Sequence, residues 1–196
     1  MIKETTGELV FPSTNDSRFT VKLTYTELCD TETAISTIIF NGMQVKSSGP
    51  YQYEYWLNGT IKVNGTTVYT SDSETGYQAR VYITAQNAYK SATIGGSGGV
   101  LLSDFATAEN IAHDSDGSGS VDISLDFTWY TTSGGGGSGW KVESTTTIDL
   151  TPVARGLVYI DDGYGFKACQ CYIDNGSGWD LVIPYIDDGS SWTLIS

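Results

Sequence analysis

One phrase is written three times near the C-terminus, and it constrains the fold more than any other feature of the chain. Tyr159-Ile160-Asp161-Asp162-Gly163-Tyr164-Gly165-Phe166 recurs 13 residues on as Tyr172-Ile173-Asp174-Asn175-Gly176-Ser177-Gly178-Trp179, and 13 further on as Tyr185-Ile186-Asp187-Asp188-Gly189-Ser190-Ser191-Trp192. A fixed period makes each copy one supersecondary unit that leans on its neighbours. An Asp-Gly or Asn-Gly pair between β-prone residues is the strongest short-range hairpin signal, because both central residues of a type I′ turn need positive φ. The spacing therefore predicts two-residue turns at 162–163, 175–176 and 188–189. Counting outward, Tyr159 faces Phe166, Tyr172 faces Trp179 and Tyr185 faces Trp192, aromatic pairs worth roughly 0.2–1 kcal/mol each.

If the segments between turns stay extended, the tail is a four-stranded antiparallel meander with strands about 36 Å long. Alternation puts the repeat aromatics on one face, and Val158, Ile160, Cys169, Cys171, Ile173, Val182 and Ile186 on the other. Two apolar faces ask for cover on both sides. Pro184 disfavours a central strand, so a stack of separate hairpins, broken near Cys169-Gln170-Cys171 and near Pro184, is the alternative.

Upstream, turn signals separate one alternating segment after another. Residues 1–17 are expected to be an arm with Leu9-Val10-Phe11 as its sticky point. Strands are expected at Phe19 to Thr26, at Ala34 to Phe40 closed by Asn41-Gly42, and at Tyr51 to Leu57 closed by Asn58-Gly59. A hairpin is expected around Asn64-Gly65, and further strands at Gln78 to Thr84, Val121 to Tyr130 and Trp140 to Leu150. The stretch from Ser91 to Glu109 is irregular, with a short strand at Val100 to Leu102. The all-β reading that follows is an immunoglobulin-like antiparallel β-sandwich over 18–153, with the hairpin-repeat tail over 154–196.

With 10 Lys plus Arg against 23 Asp plus Glu, the net charge of -13 repels phosphate backbones and argues against nucleic-acid binding. The acids are scattered singly, which does not suit a DNA mimic. No apolar leader or membrane-spanning run is expected. The three cysteines, Cys29, Cys169 and Cys171, have no disulfide-framework spacing. Without a neighbouring His, Cys169 and Cys171 make a poor metal site and suit small apolar packing.

Candidate chemistry is sparse. His113-Asp114-Ser115-Asp116-Gly117-Ser118-Gly119 has the start of a calcium loop, with Asp114 and Asp116 as candidate ligands, but Leu125 stands where the bidentate Glu belongs. The plainer reading is a polar turn. His113 is the sole histidine, so any Ser-His or Cys-His machinery must use it. Glu54, Asp104 and Glu143 are acids available for glycoside chemistry, and surface acids are the plainer reading. Tyr51, Tyr53, Tyr55, Trp140 and Tyr164 are candidate glycan or partner contacts, since rings beside Asp and Asn stack on sugars. Filling a core or a subunit interface is the competing role for these rings, and the favoured one.

The run Asn110 to Ser118, the Val121-Asp122-Ile123-Ser124 strand and the exit Thr147-Ile148-Asp149-Leu150-Thr151-Pro152-Val153-Ala154-Arg155 resemble minor structural tail or baseplate proteins of siphophages that infect Gram-positive bacteria. The Tyr-Ile-Asp-Asp/Asn-Gly-x-x-Trp repeats are similar to the C-terminal tails of such proteins. The exit departs from the family's Thr-Ile-Pro-Arg-like wording. The resemblance implies a non-enzymatic virion component made in the host cytoplasm, without cofactor. Its implied partners are other phage structural proteins, further copies of itself and host-surface polysaccharide. The alternative is a free-standing carbohydrate-binding module or small glycan-active enzyme.

Overall fold

The computed structural model describes residues 1–49, 54–72, 78–94, 100–114, 117–131, 139–153, 157–161, 164, 166–174, 178–182, 185–187 and 192–194. Every regular element among them is a strand. In chain order these are β1 (Ile2–Pro12), β2 (Phe19–Asp30), β3 (Ile35–Ser47), β4 (Glu54–Val63), β5 (Thr66–Ser71), β6 (Ala79–Tyr82), β7 (Lys90–Ser91), β8 (Thr93–Ile94) and β9 (Val100–Leu101). They continue with β10 (Ala106–Ala112), β11 (Ser120–Thr131), β12 (Trp140–Asp149), β13 (Leu157–Asp161), β14 (Phe166–Asp174), β15 (Trp179–Val182), β16 (Tyr185–Asp187) and β17 (Trp192–Leu194).

Two antiparallel sheets form a β-sandwich. One has the order β1-β2-β3-β10 with β7 added on β3; the other runs β12-β11-β4-β6-β8-β9 with β5 added on β4. The sheets interlock: the chain crosses between them from β3 to β4 and again from β10 to β11, while β3 pairs with β10 and β4 with β11. That connectivity is compatible with an immunoglobulin-like sandwich, in which strands B and E share one sheet and C, F and G the other.

Alternation builds the core. β2 turns Phe19, Val21 and Leu23 inward, and β11 turns in Val121, Ile123, Leu125, Phe127 and Trp129. Phe19 stacks on Trp140 at 4.4 Å, and Trp140 stacks on Trp129 at 4.2 Å, so three parallel rings tie the sheets together. Tyr55 meets Phe19 edge-on at 5.4 Å. Each such pair adds about 0.5–1.5 kcal/mol to what burial alone supplies.

Several expectations need correction. The first 17 residues hold β1, which pairs with β2 along its whole length, from Ile2 opposite Asp30 to Pro12 opposite Thr20. Leu9 and Phe11, the supposed sticky point, are buried in the core. Asn41-Gly42 does not end a strand. β3 runs through it with a bulge, opposite Thr24 and Tyr25 of β2, and the one extra residue switches the inward set from Ser36, Ile38 and Phe40 to Met43, Val45 and Ser47. Asn58-Gly59 is likewise interior to β4. A Cβ on Gly59 would lie 1.9 Å from the Asp126 carbonyl oxygen, so only glycine lets β11 come this close. Asn64-Gly65 behaves as expected, with φ of 48° and 78° between β4 and β5. The span thought irregular holds the start of β10, which pairs with β3 on both sides of a bulge between Ala108 and Ile111.

In the tail, β13, β14 and β15 form a three-stranded sheet, and among the described residues β16 pairs only with β17. A single four-stranded meander is thus replaced by two units. No break falls at Cys169-Gln170-Cys171, which lies within β14; the division comes between β15 and β16, where Pro184 stands. The register differs by two residues from the expected one. Tyr159 is opposite Ala168, Tyr172 opposite Leu181 and Tyr185 opposite Leu194, while Phe166, Trp179 and Trp192 pair with Asp161, Asp174 and Asp187. The connections are therefore four residues long, and a shift of two preserves which residues share a face. The aromatics that were expected to face each other stand diagonally, at roughly 7–8 Å by Cα spacing. The turn centres 162–163, 175–176 and 188–189 lie outside the described residues.

Candidate functional site

The concentration of buried polar chemistry sits at one end of the sandwich, where β2, β3, the turn after β10 and the segment after β12 meet. β2 contributes Glu27 and Cys29, β3 contributes Ser36, the turn contributes His113, and the exit segment contributes Thr151; all five are buried. The Glu27 carboxylate is the hub. Thr151 donates to it from its backbone N–H, at 3.1 Å to Oε1 and 3.0 Å to Oε2, and from its hydroxyl to Oε2 at 2.6 Å. Since the Thr151 hydroxyl proton is so used, Thr5 of β1 is the donor in the 2.9 Å contact between the two threonine hydroxyls. Ser36 Oγ lies 2.6 Å from Glu27 Oε1 and 2.8 Å from His113 Nε2. Cys29 Sγ lies 3.7 Å from the same His113 nitrogen.

Local geometry holds the imidazole still. Its backbone N–H donates to the Ala34 carbonyl at 3.0 Å, and its Nδ1 lies 3.3 Å from the Gly117 carbonyl. The turn itself is closed by Gly117 N–H to the Asp114 carbonyl and Asp114 N–H to the Ser118 carbonyl, with Gly117 at φ 84°. The histidine of the supposed calcium loop therefore points into the protein. Asp114 is exposed, and Asp116 lies outside the described residues. A carboxylate, a thiol and an imidazole so arranged can bind a cation or hold a hydrogen-bonded joint. A Ser-His-acid relay is a poor fit, because Glu27 contacts Ser36, whereas the Nδ1 position that an orienting acid would occupy faces a carbonyl.

The structure does not gather the aromatic candidates into a surface platform. Tyr55 and Trp140 belong to the core, each 4 % exposed, so their burial overturns a role as direct glycan contacts. Tyr51 and Tyr53 lie outside the described residues. Tyr164 is 97 % exposed, beyond β13. The repeat aromatics Tyr159, Phe166, Tyr172, Trp179, Tyr185 and Trp192 occupy strands of the two tail units. Of the acids, Glu54 sits 3.9 Å from Arg80, whose guanidinium stacks over Trp56 on the outer face of β4. Asp104, between β9 and β10, and Glu143, on β12, are both exposed.

Two open grooves mark the flank of the second sheet. One, about 460 Å³, is apolar and is lined by Val68, Tyr69, Leu101 and Phe105 among others. Burial pushes the Tyr69 phenol above its ordinary value. The other, about 530 Å³, lies between β5 and β10 and is mostly polar. Neither brings together an acid, a base and a nucleophile among the described residues. The cluster around Glu27 was missed in the sequence because Ser36 and Thr151 lie 9 and 124 positions from Glu27, and His113 lies 84 from Cys29. The available signal was a lone acid, Glu27, in an inward register of β2.

No family model matches the chain, and a comparison with curated proteins finds no match either.

Proposed function

We propose that this chain is a non-enzymatic structural protein of a bacteriophage virion, placed at the tail tip or in a tail fibre, that assembles through its β-surfaces. The observation carrying this reading is the edge strand β1. Its outer side has no strand partner among the described residues, and from Ile2 to Thr6 it is exposed throughout. Soluble proteins blunt long edges unless another strand adds to them. β1 carries exposed Ile2 and Val10, and no Pro before its last residue. The two small tail units give further β-surface, and the sequence resemblance supplies the phage context. Burial of Tyr55 and Trp140 weakens the competing reading of a free-standing sugar-binding module.

Host-surface glycan contact, if the virion makes it through this protein, falls to exposed groups such as Tyr164. The test is electron microscopy of virions labelled with an antibody to this chain. Label at the tail end is expected; absence of label from every virion structure overturns the reading.

A further inference from the structure

We propose that Glu27, Cys29 and His113 form a buried binding site for a divalent cation of the zinc class. The ligand atoms of these three residues all lie within 4.8 Å of one another, and each residue is buried. The donor set, one thiolate, one imidazole nitrogen and one carboxylate oxygen, is the kind zinc accepts in tetrahedral sites. Tetrahedral bonds of 2.0–2.3 Å put ligand atoms roughly 3.3–3.6 Å apart. Cys29 Sγ and His113 Nε2, at 3.7 Å, are already close to that spacing. Ser36 Oγ touches both Glu27 and His113 and is the fourth donor, its contacts lengthening by about half an ångström as the ion enters.

The hydrogen-bond inventory gives independent support. Nδ1 of His113 faces the Gly117 carbonyl, an acceptor, so that nitrogen carries a ring proton. In a ring with that one proton, Nε2 is an acceptor as well. Ser36 Oγ stands between Nε2 and the Glu27 carboxylate with a single proton to give, so one of its two short contacts sets lone pair against lone pair. No Lys or Arg among the described residues pairs with Glu27. A cation at this centre, either a second ring proton or a metal ion, removes that conflict. With a metal ion there, the Gly117 carbonyl plays the outer-shell part usual for a metal-bound histidine. On binding, the Cys29 S–H bond breaks, the sulfur keeps the electron pair as a thiolate ligand, and the proton leaves to solvent.

Because the site is closed, the ion is captured as the chain folds. The experiment refolds the full-length chain from denaturant with one equivalent of Co²⁺ or Zn²⁺, removes free metal, and measures bound metal and the absorption spectrum. It is run in a Cys169→Ser, Cys171→Ser background, so that the tail thiols cannot supply ligands. Expected are one retained equivalent, a thiolate-to-cobalt charge-transfer band and tetrahedral cobalt transitions. Cys29→Ser should abolish the charge-transfer band, and His113→Gln should lower affinity at least tenfold, with near-ultraviolet dichroism showing that each variant is folded. Retention of less than a tenth of an equivalent by the folded chain would overturn the proposal and leave a bare proton as the missing cation. So would metal uptake that survives Cys29→Ser with its charge-transfer band intact, or that vanishes with Cys169 and Cys171.

Discussion

Single residues settle questions that composition leaves open. The sequence leaves Trp140 and Tyr55 open between contact aromatics and core filling, with core or interface filling favoured, and both are core. Sequence spacing could place Tyr55 on the same strand face as Leu57, but it could not say that this face meets Phe19 from the other sheet. Tyr69 shows a measurable consequence of burial. Its folded pKa is raised because the phenolate would be desolvated, so the unfolded chain loses its proton first. Its contribution to stability is complete below the ordinary tyrosine value of 10.0 and is lost as pH rises through the higher folded value. Tyr69→Phe should therefore flatten the decline in unfolding free energy above that pH, measured by urea titration at several alkaline pH values. An unchanged slope would mean that other tyrosines, such as Tyr25, carry the effect.

At the scale of elements, three Asn-Gly pairs within the described residues divide by context. Asn64-Gly65 makes the turn that its type requires, whereas Asn41-Gly42 and Asn58-Gly59 lie inside long strands. The pair encodes permission for unusual backbone, and tertiary contacts decide how the permission is used. Gly65 has open space where a Cβ would go, but a φ of 78°; Gly59 has Asp126 and Phe127 backbone atoms in the way. Gly65→Ala should cost about 1 kcal/mol, from the positive φ alone. Gly59→Ala should cost more, on the order of 3 kcal/mol or above, because β4 and β11 must separate. Chemical denaturation of the two variants checks the ranking.

The same scale shows why β10 was illegible. Ala106-Thr107-Ala108-Glu109-Asn110 has little β-branched or aromatic content, and Asn110 takes φ 60° at a bulge, so alternation breaks halfway. Its strand state comes from pairing with β3, a long-range effect. The opposite holds for β11 and β12, whose inward residues alternate without interruption at Val121 to Trp129 and whose expected bounds agree with the observed ones within a residue. For the Glu27 cluster the one local sign was an acid in an inward register of β2, since proximity to the other members is made by the sheet register and by the turn at Gly117.

For the whole molecule, the sandwich and the tail differ in how they are held. Backbone pairing within residues 1–153 closes on itself in two sheets, and β13 to β17 pair only with one another among the described residues. A chain ending at Val153 should keep a cooperative unfolding transition within about 1 kcal/mol of the full chain. With assembly through the β1 edge it should also keep the oligomeric state of the full chain, by light scattering at matched concentration. A drop to the monomer mass would move the assembly element from the β1 edge to the tail.

Thr151 is where the last core strand hands over to the tail, and the tail's first strand begins at Leu157. Any load applied to the C-terminal strands must pass through this short run before it reaches the sheets. The Thr151 N–H and hydroxyl bonds to Glu27, together with Val153 N–H on the Gly117 carbonyl, lie directly in that line. Several bonds loaded together resist a pull far better than the same bonds broken one by one. The buried carboxylate is thus positioned as a tether point, able to keep traction on the appendage from peeling β12 off its sheet.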